Sequence, residues 1–413
     1  MLVLQSSIAR VVLCTLIGST AAFAFEDTKV LPKGVRNLSI RTVDTSFNQT
    51  TDPGGMVEPL AHLLYKDLTF AQVVRDDTKL KGALLKGFML QNGLKDEDAV
   101  GQFSADITAH LTVIAPIMAY GLTPNLTLAL ATPFYQAQTK TNVGFVPNQR
   151  AQSLMALLAK PENSQIANGR EAAMKLSDAV NRLNNKLSAN NFQRLDAWNS
   201  SGPGDATLAG KYQYVNNSVL ALASTTGVVL PTGRRKDPDV LNDIPFGEGV
   251  WAPFAQMAVD EKLPQHFTVN QFGKYTAPLP GYKSVRTITY DEPIEVGSVN
   301  ANYKEGDKVD AGTSLRYDPS FGLVSGIGYA YMHKYGDVYR GEGISNDSKK
   351  ALQRWTDKTA HNAEVMIGYS TVPLYQQGRV PVPFSLRASY VKQLAGRNMP
   401  VTNLAQFDFD LYF

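Results

Sequence analysis

The chain has 413 residues, of which 44% are hydrophobic and 19% charged, with 32 glycines and 22 prolines. This composition excludes collagens, coiled coils and disordered chains, and the length suits one large domain or two ordinary ones. The formal net charge of +3 is too balanced for a nucleic-acid-binding protein, and the single cysteine lies near the N-terminus, so we expect no nucleic-acid partner and no cysteine chemistry in the rest of the chain.

The N-terminus has the pattern of a secretory signal peptide. A basic residue precedes the apolar stretch 11–17, and the small residues that follow end in Ala22-Phe23-Ala24, which has the A-x-A form of a cleavage site. We therefore expect residues 1–24 to be removed, which leaves 25–413 as the mature protein. Lipidation of Cys14 is the alternative, but the residues before it are not the small ones that a lipidation site needs. Beyond residue 24, no run reaches the ~20 apolar residues of a membrane helix.

Polar and apolar residues alternate along most of the chain, as in strands with two unlike faces. Twelve such segments are present, and their connections are sorted by length: 48–105, 137–204, 231–248, 278–306 and 335–358 are long, whereas most of the others are short turns. Outer-membrane barrels have short periplasmic turns and long external loops, whereas a sandwich or propeller has no reason to sort its connections. The sequence predicts an all-β fold, a transmembrane antiparallel up-and-down barrel of about 12 strands; a soluble all-β protein is the alternative. The predicted strands are 36–47, 106–119, 123–136, 205–217, 218–230, 249–260, 265–277, 307–317, 321–334, 359–371, 382–394 and 401–413.

The two longest connections carry helical patterns. In the external loop 137–204, the segments 151–160 and 169–190 place apolar residues at helical spacing, and the loop 48–105 has a weaker amphipathic stretch at 56–74. We expect these helices to pack on each other or on the rim of the barrel. The alternative is that one of them enters the mouth of the barrel as a plug or gate.

The last strand has the clearest alternation. Phe407 and Phe409 share one face, and Asp408 and Asp410 share the other. A strand of this kind that ends on an aromatic residue, here Phe413, resembles the closing strand of bacterial outer-membrane barrels. That resemblance implies that the barrel-assembly machinery recognises this strand.

Two further stretches resemble a known family. Residues 202–212, which begin Gly-Pro-Gly-Asp-Ala-Thr-Leu, and residues 229–233, Val-Leu-Pro-Thr-Gly, are similar to the central motif of the meta-pathway phenol-degradation family of outer-membrane proteins. The turn and strand at 119–128 are also similar to that family, whereas the insert 148–200 has no counterpart in it. The resemblance implies a barrel related to channels for hydrophobic compounds and fatty acids. From physical chemistry alone, Pro and Gly at 231 and 233 end a strand.

Charged residues fall on one face of each predicted strand. In a barrel this face is the lumen, because a charge on the lipid face at mid-membrane costs about 2 to 4 kcal/mol. Five cationic and five acidic side chains would form ion pairs across a narrow lumen, together with two histidines. In contrast, the inward face of 322–330 is nearly bare and leaves space for a ligand, a loop or a plug. The lumen-facing candidates are Arg41, Asp106, His110, Lys211, His266, Lys274, Asp310, Arg316, Glu364, Arg387, Asp408 and Asp410.

Other polar groups carry weaker signals. Arg234-Arg235-Lys236 precedes three aspartates in a predicted external loop, where it could bind lipopolysaccharide phosphates or, through the aspartates, Ca²⁺; a solvated loop is the simpler interpretation. His361 and Glu364 have a spacing that suits a metal on a helix, but on a strand they point to opposite faces. No nucleophile has an adjacent base. We therefore expect no enzyme activity, cofactor or metal.

The sequence thus predicts a channel in the bacterial outer membrane that passes small hydrophobic or aromatic solutes down their gradient, in contact with membrane lipids and lipopolysaccharide. The alternative is a non-conducting barrel that acts through its external loops as a structural or binding protein. A third possibility, a barrel hydrolase, would require His110 or His266 for activity.

Overall fold

A computed structural model describes residues 24, 26–70, 86–87, 89–163, 178–287, 297–341 and 344–413. The predicted signal peptide up to residue 23, and the parts of the predicted helices at 71–74 and 169–177, lie outside the described residues. Within the described ranges, no helix combines the length and the apolar character needed to cross a membrane. The strands are β1 (Arg36–Phe47), β2 (Gln49–Thr51), β3 (Val57–Pro59), β4 (Lys66–Thr69), β5 (Ala99–Thr123), β6 (Leu126–Ala131), β7 (Phe134–Pro147), β8 (Trp198–Pro203), β9 (Thr207–Asn216), β10 (Leu220–Val229), β11 (Ala252–Lys262), β12 (Phe267–Thr276), β13 (Gly281–Thr287), β14 (Gly297–Lys304), β15 (Lys308–Tyr317), β16 (Leu323–Lys334), β17 (Val338–Arg340), β18 (Lys358–Ser370), β19 (Phe384–Arg397) and β20 (Asn403–Tyr412). The helices are α1 (Gln149–Leu158), α2 (Ala179–Ala189), α3 (Asn346–Gln353) and α4 (Val372–Gln376).

The long strands form a closed antiparallel barrel. Its order is β1-β5-β6-β9-β10-β11-β12-β15-β16-β18-β19-β20, and β20 pairs with β1 to close the ring. Every neighbouring pair is antiparallel. The prediction of a 12-stranded antiparallel barrel is therefore confirmed.

Three strands extend much further than predicted. β5 has 25 residues, roughly 80 Å at about 3.3 Å per residue, although about 10 residues suffice to cross a membrane. β6 continues as β7, and β8 continues as β9, with short breaks at 132–133 and 204–206. Above the breaks, β5, β7 and β8 form a ribbon that rises beyond the ring.

The start of β1 and the C-terminus of the chain lie at one end of the barrel. The backbone N–H of Arg36 donates to the carbonyl of Phe413 at 2.7 Å. We call this end the terminal rim and the opposite end the loop rim. The short turns lie at the terminal rim and the five long connections at the loop rim. α4, at 372–376, is the largest element at the terminal rim outside the strands, and 398–402 is the one short connection at the loop rim within the described residues.

Side-chain orientation alternates through the barrel wall. On β20, Asp408 and Asp410 are buried inside the barrel, whereas Phe407 is 50% exposed on its outer face. The outer face of the ring is largely apolar, with exposed residues such as Ile40 and Ile327. The wall therefore has an apolar outer surface and a polar inner surface, which is the arrangement that a lipid-embedded barrel requires.

The long connections form a cap on the loop rim. β13, β14 and β17 make a three-stranded sheet whose core contains Val285, Tyr303 and Tyr339. α1 packs through Leu154 and Leu158 in a second cluster, together with residues from the connection before β5. The loop rim thus has packed structure of its own above the barrel.

Candidate functional site

Nine of the twelve candidate residues lie on the inner face of the barrel. Arg41 Nε donates to Asp408 Oδ1 at 2.9 Å, and Arg387 Nη2 donates to Asp410 Oδ2 at 3.1 Å. These ion pairs are formed between residues that lie opposite or diagonal to each other on adjacent strands. The nine are Arg41, Lys211, Lys274, Asp310, Arg316, Glu364, Arg387, Asp408 and Asp410.

Two more of these cations have acidic neighbours in the lumen. Lys274 lies directly opposite Asp310 in the β12–β15 pair, and Lys211 Nζ is 3.4 Å from Asp27 Oδ1. The partner of Lys211 is thus not on a strand but on the chain segment that precedes β1. The sequence pattern could not reveal this partner, because residues 26–33 have no strand alternation.

Residues 26–33, which we call the N-terminal segment, lie inside the barrel. The backbone N–H and the hydroxyl of Thr28 both donate to Asp260 Oδ2, at 3.1 and 2.7 Å. Further towards the terminal rim, the backbone N–H of Leu31 donates to Thr127 Oγ1 at 2.7 Å. Polar groups of the wall therefore bind the backbone of this segment along its length.

Ala24, the last residue of the predicted signal peptide, packs against the bare inner face of 322–330. Ala24 is fully buried, and its backbone N–H donates to Glu364 Oε2 at 2.7 Å. A Cβ added at Gly328 would lie 2.4 Å from the Cβ of Ala24. A side chain at 328 would therefore clash with Ala24 while the predicted signal peptide is attached, and the same space is left free once residues 1–24 are removed.

A second chain segment fills the barrel near the loop rim. Residues 231–250, which we call the inward loop, place Leu241, Ile244 and Phe246 in the main hydrophobic core. The same core contains inner-face residues of β1, β5, β19 and β20, including Ile107. The inward loop therefore packs across the lumen near the loop rim, whereas the N-terminal segment narrows the lumen towards the terminal rim.

Aromatic and charged contacts hold the inward loop in place. The ring of Phe246 stacks on Tyr135, with centroids 5.2 Å apart and an interplanar angle of 11°. Arg234 lies over the Phe246 ring at 4.7 Å and donates to Asp243 Oδ2 at 2.9 Å. Asp243 is fully buried. The interpretation of this charge cluster as a solvated external loop is thus wrong for Arg234 and Asp243, which pair inside the barrel.

The two halves of the motif that resembles the phenol-degradation family meet at the base of this loop. Asp205 Oδ1 accepts from the backbone N–H of Gly233 at 2.8 Å, and Oδ2 accepts from that of Glu248 at 3.0 Å. The Thr232 hydroxyl donates to the carbonyl of Gly204 at 2.8 Å. The motif therefore clamps both ends of the inward loop to the break between β8 and β9, a role beyond ending a strand.

The insert between β7 and β8 supports the inward loop from behind. The backbone N–H of Gln193 donates to the carbonyl of Asp239 at 2.9 Å, and Asn242 Nδ2 donates to the carbonyl of Asp196 at 2.8 Å. Leu187, at the end of α2, joins the same core. Among the described residues, the segment that fills the mouth is the inward loop, with the end of the insert packed against it.

Two predicted lumen residues lie on the outer face instead. Asp106 and His110 are exposed, and His110 Nε2 is 3.0 Å from Asp44 Oδ2 on the outside of the barrel. The apolar residues between them, such as Ile107 and Leu111, are buried inside. The faces of β5 are reversed here because its upper part rises above the apolar band and encloses the core formed with the inward loop.

The remaining histidine candidate is also outside the lumen. His266 is exposed in the short turn Pro264–His266, with a positive φ of 67°. His361 points outward and lies 2.6 Å from the hydroxyl of Tyr329, whereas Glu364 points inward, so the two do not meet. In the described ranges, no group of three His, Cys, Asp or Glu residues could hold a metal ion.

Above the inward loop lies a cavity of about 470 Å³, which we call the vestibule. Its floor includes Val240 and Leu241 of the inward loop, and one wall is the cap sheet with Val285 and Tyr339. The segment that follows α3 supplies Trp355. Residues 51–62 lie on a further side. A volume in this range suits a small-molecule ligand.

Charges in the vestibule wall are partly paired. Lys283 Nζ donates to Glu248 Oε2 at 3.2 Å, and Lys334 forms an ion pair with Asp337. Burial raises the pKa of Tyr303 well above its ordinary value, and the nearby Glu248 carboxylate raises it further. The Tyr303 hydroxyl therefore stays protonated and can donate to the carboxylates beside it.

The lumen ion pairs should contribute to stability. Replacing Asp408 with alanine removes the carboxylate that Arg41 and Gln406 contact, and breaking a buried pair in this way costs about 3 to 5 kcal/mol. We expect a clearly lower urea midpoint in lipid vesicles. Asp44→Ala is the matched control, because its side chain is 53% exposed on the outer face and an exposed pair contributes about 1 kcal/mol or less. Equal midpoints for the two variants would contradict the structural role of the Asp408 pair.

Comparison with known proteins supports the fold. The COG4313 outer membrane channel from Pseudomonas putida F1 is similar over 94% of this chain and 98% of its own, with a TM-score of 0.52 and 14% identity. A Pseudomonas aeruginosa FadL homologue has a TM-score of 0.34 at 8% identity, covering 92% of this chain and 90% of its own. The CymD monoaromatic hydrocarbon channel has a TM-score of 0.32 at 11% identity, covering 93% and 89%. The last two superpose too loosely to carry an argument.

No protein-family model matches the chain, and no curated protein matches it either. The barrel architecture that the family resemblance implies is nevertheless confirmed by the strand order and by the first of these structures. The protein thus has the fold of an outer-membrane β-barrel, and its outer surface has the apolar character that contact with lipid requires.

Proposed function

We propose that this barrel is a passive channel for small apolar or aromatic solutes, which enter the vestibule and pass through the lumen when the inward loop is displaced. The observation that carries the proposal is the position of the vestibule, whose floor is formed by Val240 and Leu241 of the inward loop. In this proposal, displacement of the inward loop would connect the vestibule to the lumen below it. Because no disulfide ties the inward loop to the barrel wall, its displacement needs only the loss of packing and hydrogen bonds.

In the cell, residues 25–413 would form the mature protein after removal of 1–24, with the loop rim facing outward. Lipopolysaccharide would surround that rim, and the barrel-assembly machinery would insert the chain through β20. This role needs no catalytic group, which agrees with our proposal that the protein is not an enzyme and uses no cofactor.

The filled lumen favours a second candidate, a closed barrel that binds ligands at the loop rim without passing them. Both the inward loop and the N-terminal segment occupy the interior, and ion pairs span the wall between them. In this case the vestibule would be the whole of the working site.

Uptake by reconstituted vesicles distinguishes the two candidates. We expect vesicles that contain the folded protein to take up toluene or phenol faster than protein-free vesicles, with a rate proportional to the concentration gradient. Vesicles that contain the heat-denatured protein are the control for leakage. Uptake no faster than in that control would exclude the channel and leave the closed binding barrel.

A further inference from the structure

The charges around the vestibule are not balanced. Six cationic side chains line the cavity against four carboxylates. The cations are Lys236, Lys283, Arg286, Lys334, Arg354 and Lys358, and the carboxylates are Asp52, Glu58, Glu248 and Asp337. A cavity with this excess attracts anions, and low-dielectric walls concentrate the field within it.

Each of these carboxylates already has a donor within the wall. Asp52 Oδ1 accepts from two backbone N–H groups at 2.8 Å, and Glu58 Oε2 is 3.1 Å from His62 Nε2. Glu248 and Asp337 pair with lysines, as described above. The wall thus satisfies its acidic groups internally. Arg286, one of the lining cations, pairs with a carboxylate outside the lining: its Nε donates to Asp239 Oδ1 at 2.8 Å.

Arg354 combines a charge with an aromatic surface. Its guanidinium carbon lies over the Trp355 ring, 4.2 Å from the ring centroid, which is the position of a cation–π contact. Trp355 has a positive φ of 62°, which a bulky residue rarely adopts and which persists only where the surroundings impose it. The backbone is therefore held in a conformation that presents this pair together at the cavity.

Apolar side chains line the same space. Val285 and Leu241 are buried in the wall. Leu352 of α3, two residues before Arg354 in the chain, also lines the cavity. A ligand that matches the whole lining needs a flat apolar body and one anionic group. A guanidinium pairs with a carboxylate through two parallel hydrogen bonds, and it does so better than an ammonium group.

We propose that the vestibule binds small aromatic carboxylates, with the carboxylate at Arg354 and the ring against the apolar wall near Leu352 and Trp355. This inference rests on the proposed function, because it names the class of ligand that would enter the vestibule. Binding itself does not require the inward loop to move, so it can be measured separately from transport.

Calorimetry on the full folded protein in detergent tests the proposal with three probes. We expect 1-naphthoate to bind about ten-fold more tightly at low salt than the neutral 1-naphthamide, a factor that corresponds to about 1.4 kcal/mol. Inorganic phosphate, an anion without a ring, should not compete at equal concentration. Because exposed charges are screened by salt, the preference should shrink at high ionic strength.

Two variants test whether Arg354 binds the carboxylate of the ligand. Arg354→Gln should lower the affinity for naphthoate to that for naphthamide, while naphthamide binding is unchanged. Lys350→Gln is the matched control, because Lys350 is exposed on α3 and does not line the vestibule. Both variants should keep the heat-modifiable gel shift of a folded barrel.

Four results would overturn the proposal. Equal binding of naphthoate and naphthamide would mean that the cavity selects apolar ligands regardless of charge. Full competition by phosphate would indicate an anion site of the kind that a lipid phosphate occupies. Undiminished naphthoate binding by the folded Arg354→Gln protein would exclude Arg354. Naphthoate binding without any vesicle uptake would reject the channel and keep this site. Uptake of toluene without naphthoate binding would keep the channel and reject this site.

Discussion

Replacing Phe246 with alanine is expected to raise the open fraction of the channel about a hundred-fold. The Phe246 side chain is 1% exposed and stacks on Tyr135, and truncating a buried phenylalanine costs about 3 to 5 kcal/mol. That cost falls on the closed state, because the side chain leaves the core when the inward loop moves out. A change of about 3 kcal/mol shifts a two-state equilibrium roughly a hundred-fold. Single-channel recordings in planar bilayers measure the open fraction directly.

Phe407→Ala is the matched control for this experiment. Phe407 is 50% exposed on the outer face of β20, so its removal takes the same number of atoms from the lipid side and none from the core. The open fraction of the Phe407→Ala channel should equal that of the parent. A folded Phe246→Ala protein that stays as closed as the parent would show that the inward loop is not the gate, and the closed binding barrel would become the better hypothesis.

Removing the N-terminal segment is expected to have a large effect only in combination with an opened inward loop. In the proposed channel the inward loop is the gate and the N-terminal segment only narrows the pathway behind it, so the closed gate limits flow whether or not the segment is present. Deleting 26–33 alone should leave conductance close to that of the parent, because Phe246 still holds the inward loop. The deletion together with Phe246→Ala should give a larger unitary conductance than Phe246→Ala alone, which is measured in the same bilayers.

Thr28→Val separates loss of the segment from loss of one contact. It removes the hydroxyl that donates to Asp260 at 2.7 Å but keeps the chain in the lumen, so in the Phe246→Ala background it should raise unitary conductance less than the deletion does. If the double variant conducts no better than Phe246→Ala, the N-terminal segment does not obstruct the open pathway.

Local alternation in the sequence was sufficient to predict the barrel. On β20, one face carries Asp408 and Asp410 and the other Phe407, and a shift by one residue would put two carboxylates in hydrocarbon. The same constraint acts on every strand that crosses lipid, and it explains why nine of the candidate residues could be placed on the inner face. The number of strands followed from counting the alternating segments, and the sorted connection lengths distinguished a membrane barrel from a sandwich or propeller.

The rule of alternation does not apply where the wall rises above the membrane. On the upper part of β5, Ile107 and Leu111 point inward and His110 points outward, which reverses the predicted faces. The alternation itself is present in the sequence, but it does not specify which side is apolar, because a core within the barrel satisfies the same pattern as lipid around it. The presence of the inward loop decides which face of upper β5 points inward.

The segments that fill the lumen have no periodic signal. The inward loop contains Arg234 and Asp243, which look solvated in the sequence but form a buried pair, and the N-terminal segment is held through its backbone. The vestibule likewise joins side chains from at least four connections that are far apart in the chain. The sequence by itself therefore determined the strands and the polarity of the wall within lipid, because these depend on contacts between each residue and its solvent. The contents of the lumen and the composition of the vestibule were decided by the tertiary structure, because they depend on which distant segments pack against one another.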